Sequence, residues 1–199
     1  MMPGPGGTGA AIIAVTSGKG GVGKTNVAVN VGVALARLGY RTGVLDADFA
    51  LGNVDVLLGL AGEHHLGHVL ARQRTLREVA LTGPQGLQVF PATSGVQGLA
   101  GLTEGQEVAL TDAVRELRPS LDFLLVDTAP GISEGVLQAV GVSDQVLLVA
   151  SMEPAALVDA CRRFLTRFDA GGPPWDALLE RGMAVDFDWR TSSAPAYLA

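Results

Sequence analysis

The stretch that decides the fold is a glycine-rich loop with two lysines, Gly18-Lys19-Gly20-Gly21-Val22-Gly23-Lys24-Thr25. It fits the phosphate-loop pattern Gly-x-x-x-x-Gly-Lys-Thr, and it lies between a predicted buried strand over residues 11–16 and a predicted helix over residues 24–38. Glycines let backbone N–H groups turn toward phosphates, and the following helix adds its positive N-terminal end. An unliganded strand–helix turn is the alternative, which the match at every fixed position disfavours. We therefore predict a nucleotide site over the loop and Asn26.

Lysine occurs nowhere else in the chain. Of the 14 basic residues, Lys19 and Lys24 are the only lysines, and the others are arginines. A compact charge on a flexible stem suits a phosphate oxygen better than the planar fork of arginine. We expect Lys24 to reach the β- and γ-phosphates of a nucleotide and to take part in catalysis, and the Thr25 hydroxyl to bind Mg²⁺.

Carboxylates stand at the ends of two further predicted strands. Asp46 and Asp48 come at the end of a strand over residues 42–46, and Asp127 ends an apolar run over residues 121–127. Ligands of open parallel sheets bind beyond the carboxyl ends of the strands. These carboxylates are therefore expected to face the phosphates, where they hold the Mg²⁺ shell or activate the attacking water. A solvated acidic pair that caps a loop is the alternative for Asp46 and Asp48.

Strand and helix patterns alternate between residues 11 and 168, which we predict to be one ATPase domain. Strands that are apolar on both faces predict a mostly parallel sheet with helices on both faces, the three-layer α/β fold of P-loop NTPases. Residues 1–10 are expected to be a disordered lead-in and residues 169–199 a divergent or poorly ordered tail. The remaining elements are strands over residues 87–90 and 145–150 and helices over residues 65–72, 103–118 and 154–168.

The bulk composition excludes several classes of protein. Hydrophobic residues make up 48% of the 199 residues, which is typical of a globular chain, and the net charge of −6 disfavours direct binding of nucleic acid. The single Cys161 cannot form an internal disulfide, and neither a signal peptide nor a membrane anchor is evident. We predict a cytoplasmic protein. His64, His65 and His68 are expected to be surface histidines rather than a metal site.

Lys19 marks a subset of phosphate loops. Lys-Gly-Gly-x-Gly-Lys-Thr resembles the deviant Walker A motif of the MinD/ParA superfamily of P-loop ATPases, and residues 46–60 resemble its switch I segment. Residues 127–133 match the end of a Walker B strand and a switch II loop. Within that superfamily the chain resembles most the flagellar-number regulators of the FlhG (FleN) type, also through residues 90–100. The resemblance covers roughly residues 11–160.

The resemblance implies roles for individual residues. Lys19 reaches across an ATP-bound homodimer to the partner's phosphates, Asp48 positions the attacking water, Asp46 lies nearer the metal shell, and Asp127 lies near Mg²⁺. It also implies a slowly hydrolysing switch with ATP and Mg²⁺ as cofactors that regulates flagellar number or placement. The family's partners are a flagellar GTPase of the signal-recognition type, switch-complex proteins and a transcriptional activator.

The pattern departs from the family after the helix over residues 154–168. Family members continue into a strand with an adenine-contacting Asn, which residues 169–199 do not match. We therefore expect a fold truncated at its C-terminus. Three alternatives stay open: a truncated pseudo-ATPase that acts as a binding module, a metabolic ligase or kinase on the same fold, and an iron–sulfur carrier, which the single cysteine opposes.

Overall fold

The structure is a computed structural model, and it describes residues 9–49, 51–92, 102–131 and 143–150. These residues fall within one unit of the chain, Met1–Ala160. The predictions of a lead-in, of a helix over residues 154–168 and of a divergent tail lie outside the described residues. So do residues 93–100 and 132–133 of the stretches that carry the family resemblance.

One sheet of six strands organises the described part of the chain. Its order is β3-β4-β2-β5-β1-β6, and every neighbouring pair is parallel except β3 and β4. The prediction of a mostly parallel sheet is confirmed. The strands are β1 (Ala11–Thr16), β2 (Thr42–Ala47), β3 (Leu81–Thr82), β4 (Gln88–Phe90), β5 (Phe123–Thr128) and β6 (Gln145–Leu148).

Within the described residues, two long helices and three short ones accompany the sheet. The predicted elements that lie in the described residues are confirmed, to within about two residues at each end. The helices α2 and α4 and the strand β3 were not predicted, because elements this short show no periodicity. The helices are α1 (Lys24–Arg37), α2 (Val54–Leu58), α3 (Leu66–Leu70), α4 (Leu76–Val79) and α5 (Glu104–Leu117), with 3₁₀ turns at Pro84–Gly86 and Arg118–Ser120. In this part of the chain, none of the helices has the length and apolarity that a membrane span requires.

Both faces of the sheet are buried, as alternation along β5 shows. Leu124 and Val126 pack in a cluster with α3, α4 and α5, whereas Leu125 between them packs in a second cluster with α1 and α2. Successive side chains of a strand point to opposite faces, so helices cover each side of this sheet. The three-layer prediction is confirmed.

The ends of the long helices follow the sequence signals. Thr103 Oγ1 accepts a hydrogen bond from the Gln106 N–H at 3.4 Å, and Gln106 Oε1 accepts one from the Thr103 N–H at 2.9 Å. This capping box starts α5 as predicted. After α1, Gly39 has φ +90°, the left-handed conformation in which a helix commonly ends on glycine.

Ion pairs tie the strands together at the amino end of the sheet. Arg41 Nη2 lies 2.7 Å from Asp122 Oδ1, and the Arg41 backbone N–H donates to the same carboxylate. Asp144 Oδ2 accepts from the Ile12 N–H at 2.9 Å and from Arg118 Nη2 at 2.8 Å. The first pair fixes the start of β2 beside β5, and Asp144 fixes the start of β1 beside β6.

Two of the three histidines have a role that the sequence did not predict. His65 Nδ1 accepts from the Gly67 N–H at 3.1 Å, and His68 Nδ1 accepts from the His65 N–H at 3.3 Å, so the two imidazoles cap α3 reciprocally. The described residues contain no group of three or more His, Cys, Asp or Glu arranged for a metal ion. The Leu66 N–H donates to the Pro91 carbonyl, which joins α3 to the end of β4.

Candidate functional site

The glycine-rich loop joins β1 to α1 at the carboxyl end of the sheet. Gly21 has φ +75° and Gly23 has φ +91°, and an added Cβ at either would meet no atom within 4 Å. Glycine is therefore required by the left-handed backbone rather than by crowding. Gly23 is also the N-cap of α1, where it has no side chain to accept from the first N–H groups of the helix. Those N–H groups suit an anion such as a phosphate.

Buried hydroxyl groups hold the loop to its neighbours. Ser17 Oγ donates to the Lys19 carbonyl oxygen at 2.8 Å, and the Ser17 carbonyl oxygen accepts from the Gly131 N–H at 2.9 Å. Thr128 Oγ1 donates to the Val15 carbonyl oxygen at 3.1 Å. The segment after β5 is thus bonded to the entrance of the loop. Sequence reasoning missed Ser17 and Thr128, although a small hydroxyl residue next to a phosphate loop is a recognisable signal.

The two lysines have opposite environments. Lys24 begins α1 and is only 8% exposed, and its positive charge lowers the pKa of Asp127. Lys19 is exposed. One lysine is therefore directed into the site and the other toward solvent. Among the other predicted nucleotide contacts, those partly buried are Gly18, Val22, Gly23 and Thr25, and those exposed are Gly20, Gly21 and Asn26.

Asp46 and Asp127 lie opposite each other on neighbouring strands. They are register partners on β2 and β5, and their exposed fractions are 0% and 1%. Asp46 Oδ1 accepts from the Asp48 N–H at 3.1 Å, and Oδ2 accepts from the N–H groups of Asn53 at 2.8 Å and Val54 at 3.1 Å. Burial, together with the negative charge of Asp127, raises the pKa of Asp46 to about 7, although the three N–H groups act in the opposite direction.

Asp127 has an incomplete set of partners. Its Oδ1 is buried, and no described residue offers it a hydrogen bond. Burial raises the pKa of this carboxyl, while a hydrogen bond with the Thr25 side chain and the charge of Lys24 lower it. Carboxylate and hydroxyl oxygens are ligands that Mg²⁺ prefers, and a buried oxygen without a protein partner requires an ion or a water to satisfy it. Thr25 and Asp127 therefore fit a Mg²⁺ site.

Asp48 lies in the turn that follows β2 and is partly exposed. Its Oδ1 accepts from the Leu51 N–H at 3.0 Å, and its negative charge raises the pKa of Asp127. The fold therefore brings Asp48 within electrostatic range of Asp127. The oxygens of Asp46 already accept three hydrogen bonds from backbone N–H groups, and its place in a metal shell stays a prediction.

Comparison with known proteins identifies the relatives of the chain. A family model described as an AAA domain matches residues 10–169. The antiactivator FleN of Pseudomonas aeruginosa is 48% identical over 149 residues, which cover 75% of this chain and 53% of that protein. The flagellum site-determining protein YlxH of Helicobacter pylori is 37% identical over 74% of this chain and 50% of its own length.

A solved structure is also similar to this chain. The septum site-determining protein MinD of Pyrococcus horikoshii, solved with Mg-ADP, has a TM-score of 0.72 and 26% identity, covering 81% of this chain and 66% of that one. The present chain spans about half the length of the curated relatives named above. The residues that the family model matches, 10–169, contain the whole of the loop and the acidic strand ends.

Proposed function

Since the chain belongs to the MinD/ParA family of P-loop ATPases, we propose that it binds ATP with Mg²⁺, hydrolyses it slowly and dimerises in its ATP-bound state. The observation that carries the proposal is the convergence of Lys24, Thr25 and Asp127 at the start of α1. A buried cation, a hydroxyl and an unsatisfied buried carboxylate oxygen meet there. Outside a site for a charged ligand, such an arrangement would only cost stability.

Each side chain has a distinct task in this proposal. The N–H groups of the loop and Lys24 bind the phosphate oxygens, and Thr25 and Asp127 hold Mg²⁺, which when bound neutralises part of the phosphate charge. Asp48 orients the attacking water and accepts its proton. It is suited to this because it is partly exposed and lies within electrostatic range of Asp127.

Two segments can transmit the state of the nucleotide. The turn that contains Asp48 follows β2, and Gly131, in the segment after β5, donates to the Ser17 carbonyl at the entrance of the loop. Segments that touch the γ-phosphate change their order on hydrolysis in P-loop switches. The exposed Lys19 is then available to reach the phosphates of a second copy, as the deviant motif implies.

The biological role follows from the relatives and is part of the proposal. FleN is named an antiactivator and YlxH a flagellum site-determining protein. We propose that this chain regulates flagellar number or placement by docking a partner in one nucleotide state. A flagellar GTPase, a switch-complex protein or a transcriptional activator is the kind of partner expected. The cytoplasmic location stays a prediction.

An ATP titration combined with a measurement of particle size tests the proposal. The purified chain is titrated with ATP·Mg²⁺ in a calorimeter, and its mass is followed by light scattering, with ADP·Mg²⁺ as the matched control. We expect binding of both nucleotides and a doubling of mass with ATP alone. Binding without dimerisation would favour a metabolic ligase or kinase. No binding would favour the pseudo-ATPase.

A further inference from the structure

Among the described acidic residues of the site, Asp46 accepts the most hydrogen bonds from backbone N–H groups. We infer that Asp46 is a positioning residue, which holds the segment of residues 48, 49 and 51–54 and thereby sets the position of Asp48 for catalysis. The catalytic part of this inference rests on the proposed function. The structural part, that one carboxylate holds the whole segment, stands without any ligand.

The hydrogen bonds of Asp46 reach both ends of the segment. Oδ1 accepts from the N–H of Asp48 at its start, and Oδ2 accepts from the N–H groups of Asn53 and Val54 at its end. Asn53 is the N-cap of α2, and its own side chain makes no capping hydrogen bond within the described residues. The Asp46 carboxylate, on β2, caps α2 instead, because it accepts from the N–H groups at the start of the helix.

The segment packs closely against the Asp46 carboxylate at Gly52. A Cβ added at Gly52 would lie 2.3 Å from the Ala92 Cβ, 3.0 Å from Asp46 Oδ2 and 3.1 Å from the Asp48 carbonyl oxygen. A side chain at Gly52 would therefore push the segment away from Asp46 and from the residues that follow β4. Glycine is needed there for close approach, which gives a second way to release the segment without changing a charge.

The position of Asp48 depends on these contacts. Its N–H donates to Asp46, and its Oδ1 accepts from the Leu51 N–H, so both its backbone and its carboxylate are fixed by the segment. A catalytic group that is displaced by about 1 Å can lose on the order of 100-fold in rate. Release of the segment should therefore lower the rate of hydrolysis, while phosphate and Mg²⁺ binding at Lys24, Thr25 and Asp127 persist.

Hydrogen exchange in the nucleotide-free protein tests the structural part. We expect Asp46→Asn to speed exchange of the N–H groups of Asp48, Asn53 and Val54 by at least about tenfold, because local opening sets the exchange rate. Gly52→Ala should do the same with the carboxylate intact. Asp127→Asn is the matched control, because it removes the neighbouring buried charge, and it should leave these three exchange rates near those of the unmodified protein.

Kinetics with ATP and Mg²⁺ test the catalytic part. For Asp46→Asn and Gly52→Ala we expect kcat to fall at least about tenfold, with KM for ATP and the half-saturating Mg²⁺ concentration within about twofold. Asp127→Asn should instead raise the Mg²⁺ requirement. A raised Mg²⁺ requirement for Asp46→Asn with unchanged exchange would make Asp46 a metal ligand and overturn the inference. Unchanged kcat in both variants would also overturn it.

The two proposals can fail separately. If the unmodified protein binds no ATP, the proposed function fails, and the exchange rates of the nucleotide-free variants still decide whether Asp46 holds the segment. If Asp46→Asn does not fold, Gly52→Ala carries both measurements, because its charge pattern is that of the natural chain.

Discussion

The two ends of the sheet treat polar groups in opposite ways. At the amino end, the pairs Arg41–Asp122 and Arg118–Asp144 are solvent-accessible and hydrogen-bonded. At the carboxyl end, polar and charged side chains are buried, and some lack partners among the described residues. Apart from Thr42, all the buried polar side chains among the described residues lie at the carboxyl end: Thr16, Ser17, Lys24, Asp46, Asp127 and Thr128.

The difference separates ligand binding from folding. A buried polar group without a partner costs about 1–3 kcal/mol, so the carboxyl end is less stable than it would be with apolar residues. Exposed ion pairs contribute little to stability, but here they supply hydrogen-bond partners for polar groups at the strand ends. Substitutions at the carboxyl end should therefore change nucleotide chemistry, and substitutions at the amino end should change stability alone.

Lys24 should give the largest effect. We expect Lys24→Ala to weaken ATP binding at least about 100-fold, or about 2.8 kcal/mol, because the buried cation meets the phosphates. Calorimetry measures this. Lys24→Arg keeps the charge and should still bind poorly, since its planar fork does not fit the same space. Unchanged affinity in Lys24→Ala would show that the loop does not bind the nucleotide.

Asp48 should affect hydrolysis rather than binding. We expect Asp48→Ala to lower phosphate release on the order of 100-fold, typical of a lost general base, and to trap an ATP-bound dimer. Asp55→Ala is the matched control, because Asp55 lies nearby on α2 and its carboxylate accepts from the Val56 N–H. Normal phosphate release by Asp48→Ala would mean that another group orients the attacking water.

Lys19 should affect assembly. We expect Lys19→Ala to keep ATP affinity within about threefold while dimerisation with ATP weakens at least about tenfold, as for a lost ion pair to phosphate. Light scattering with ATP measures it. Arg37→Ala removes another exposed cation, at the end of α1, and should leave the dimer intact. A dimer that persists in Lys19→Ala would contradict the role of this lysine.

The sequence predicts the loop and the sheet well because their signals are local. Glycines at fixed positions specify the left-handed turns at Gly21 and Gly23, and apolar runs specify buried strands. The hydrogen bonds of Asp46 to residues 53 and 54 are not predictable in this way, because they depend on how a loop folds back onto a strand. The register that places Asp46 beside Asp127 joins distant parts of the chain, and no pattern within either strand contains it.

Asp144 tests the amino end. We expect Asp144→Ala to lower the free energy of unfolding by about 1 kcal/mol, since the Ile12 N–H and Arg118 lose their acceptor. Urea unfolding measures it. Arg118→Ala removes the exposed partner but leaves the carboxylate for the Ile12 N–H, and should cost less. ATP affinity should be unchanged in both variants. A change in ATP affinity would mean that the two ends are coupled through β1.

His65 should give the smallest effect. It is an exception to the comparison, because α3 contacts the residues that follow the carboxyl end of β4, yet we expect its cap to affect folding stability rather than nucleotide chemistry. His65 Nδ1 accepts from the Gly67 N–H, which requires a neutral imidazole, and burial, followed by the charges of His68 and His64, lowers its pKa. With a folded pKa below the ordinary value of about 6.5, this cap stabilises fully above pH 6.5. The contribution is lost as the pH falls through the folded pKa.

The measurement is the free energy of unfolding between pH 8 and pH 5, compared with that of His65→Asn. Asparagine caps a helix through its side-chain oxygen and does not titrate, so the variant should lose less stability on acidification, by at most the roughly 1 kcal/mol of a cap. Asp46, whose pKa is raised to about 7, titrates in the same window in both proteins. The difference between the two pH profiles therefore isolates His65, and identical profiles would show that its imidazole does not act as the cap. ATP affinity at pH 7.5 should be the same in both, because no part of this cap belongs to the nucleotide site.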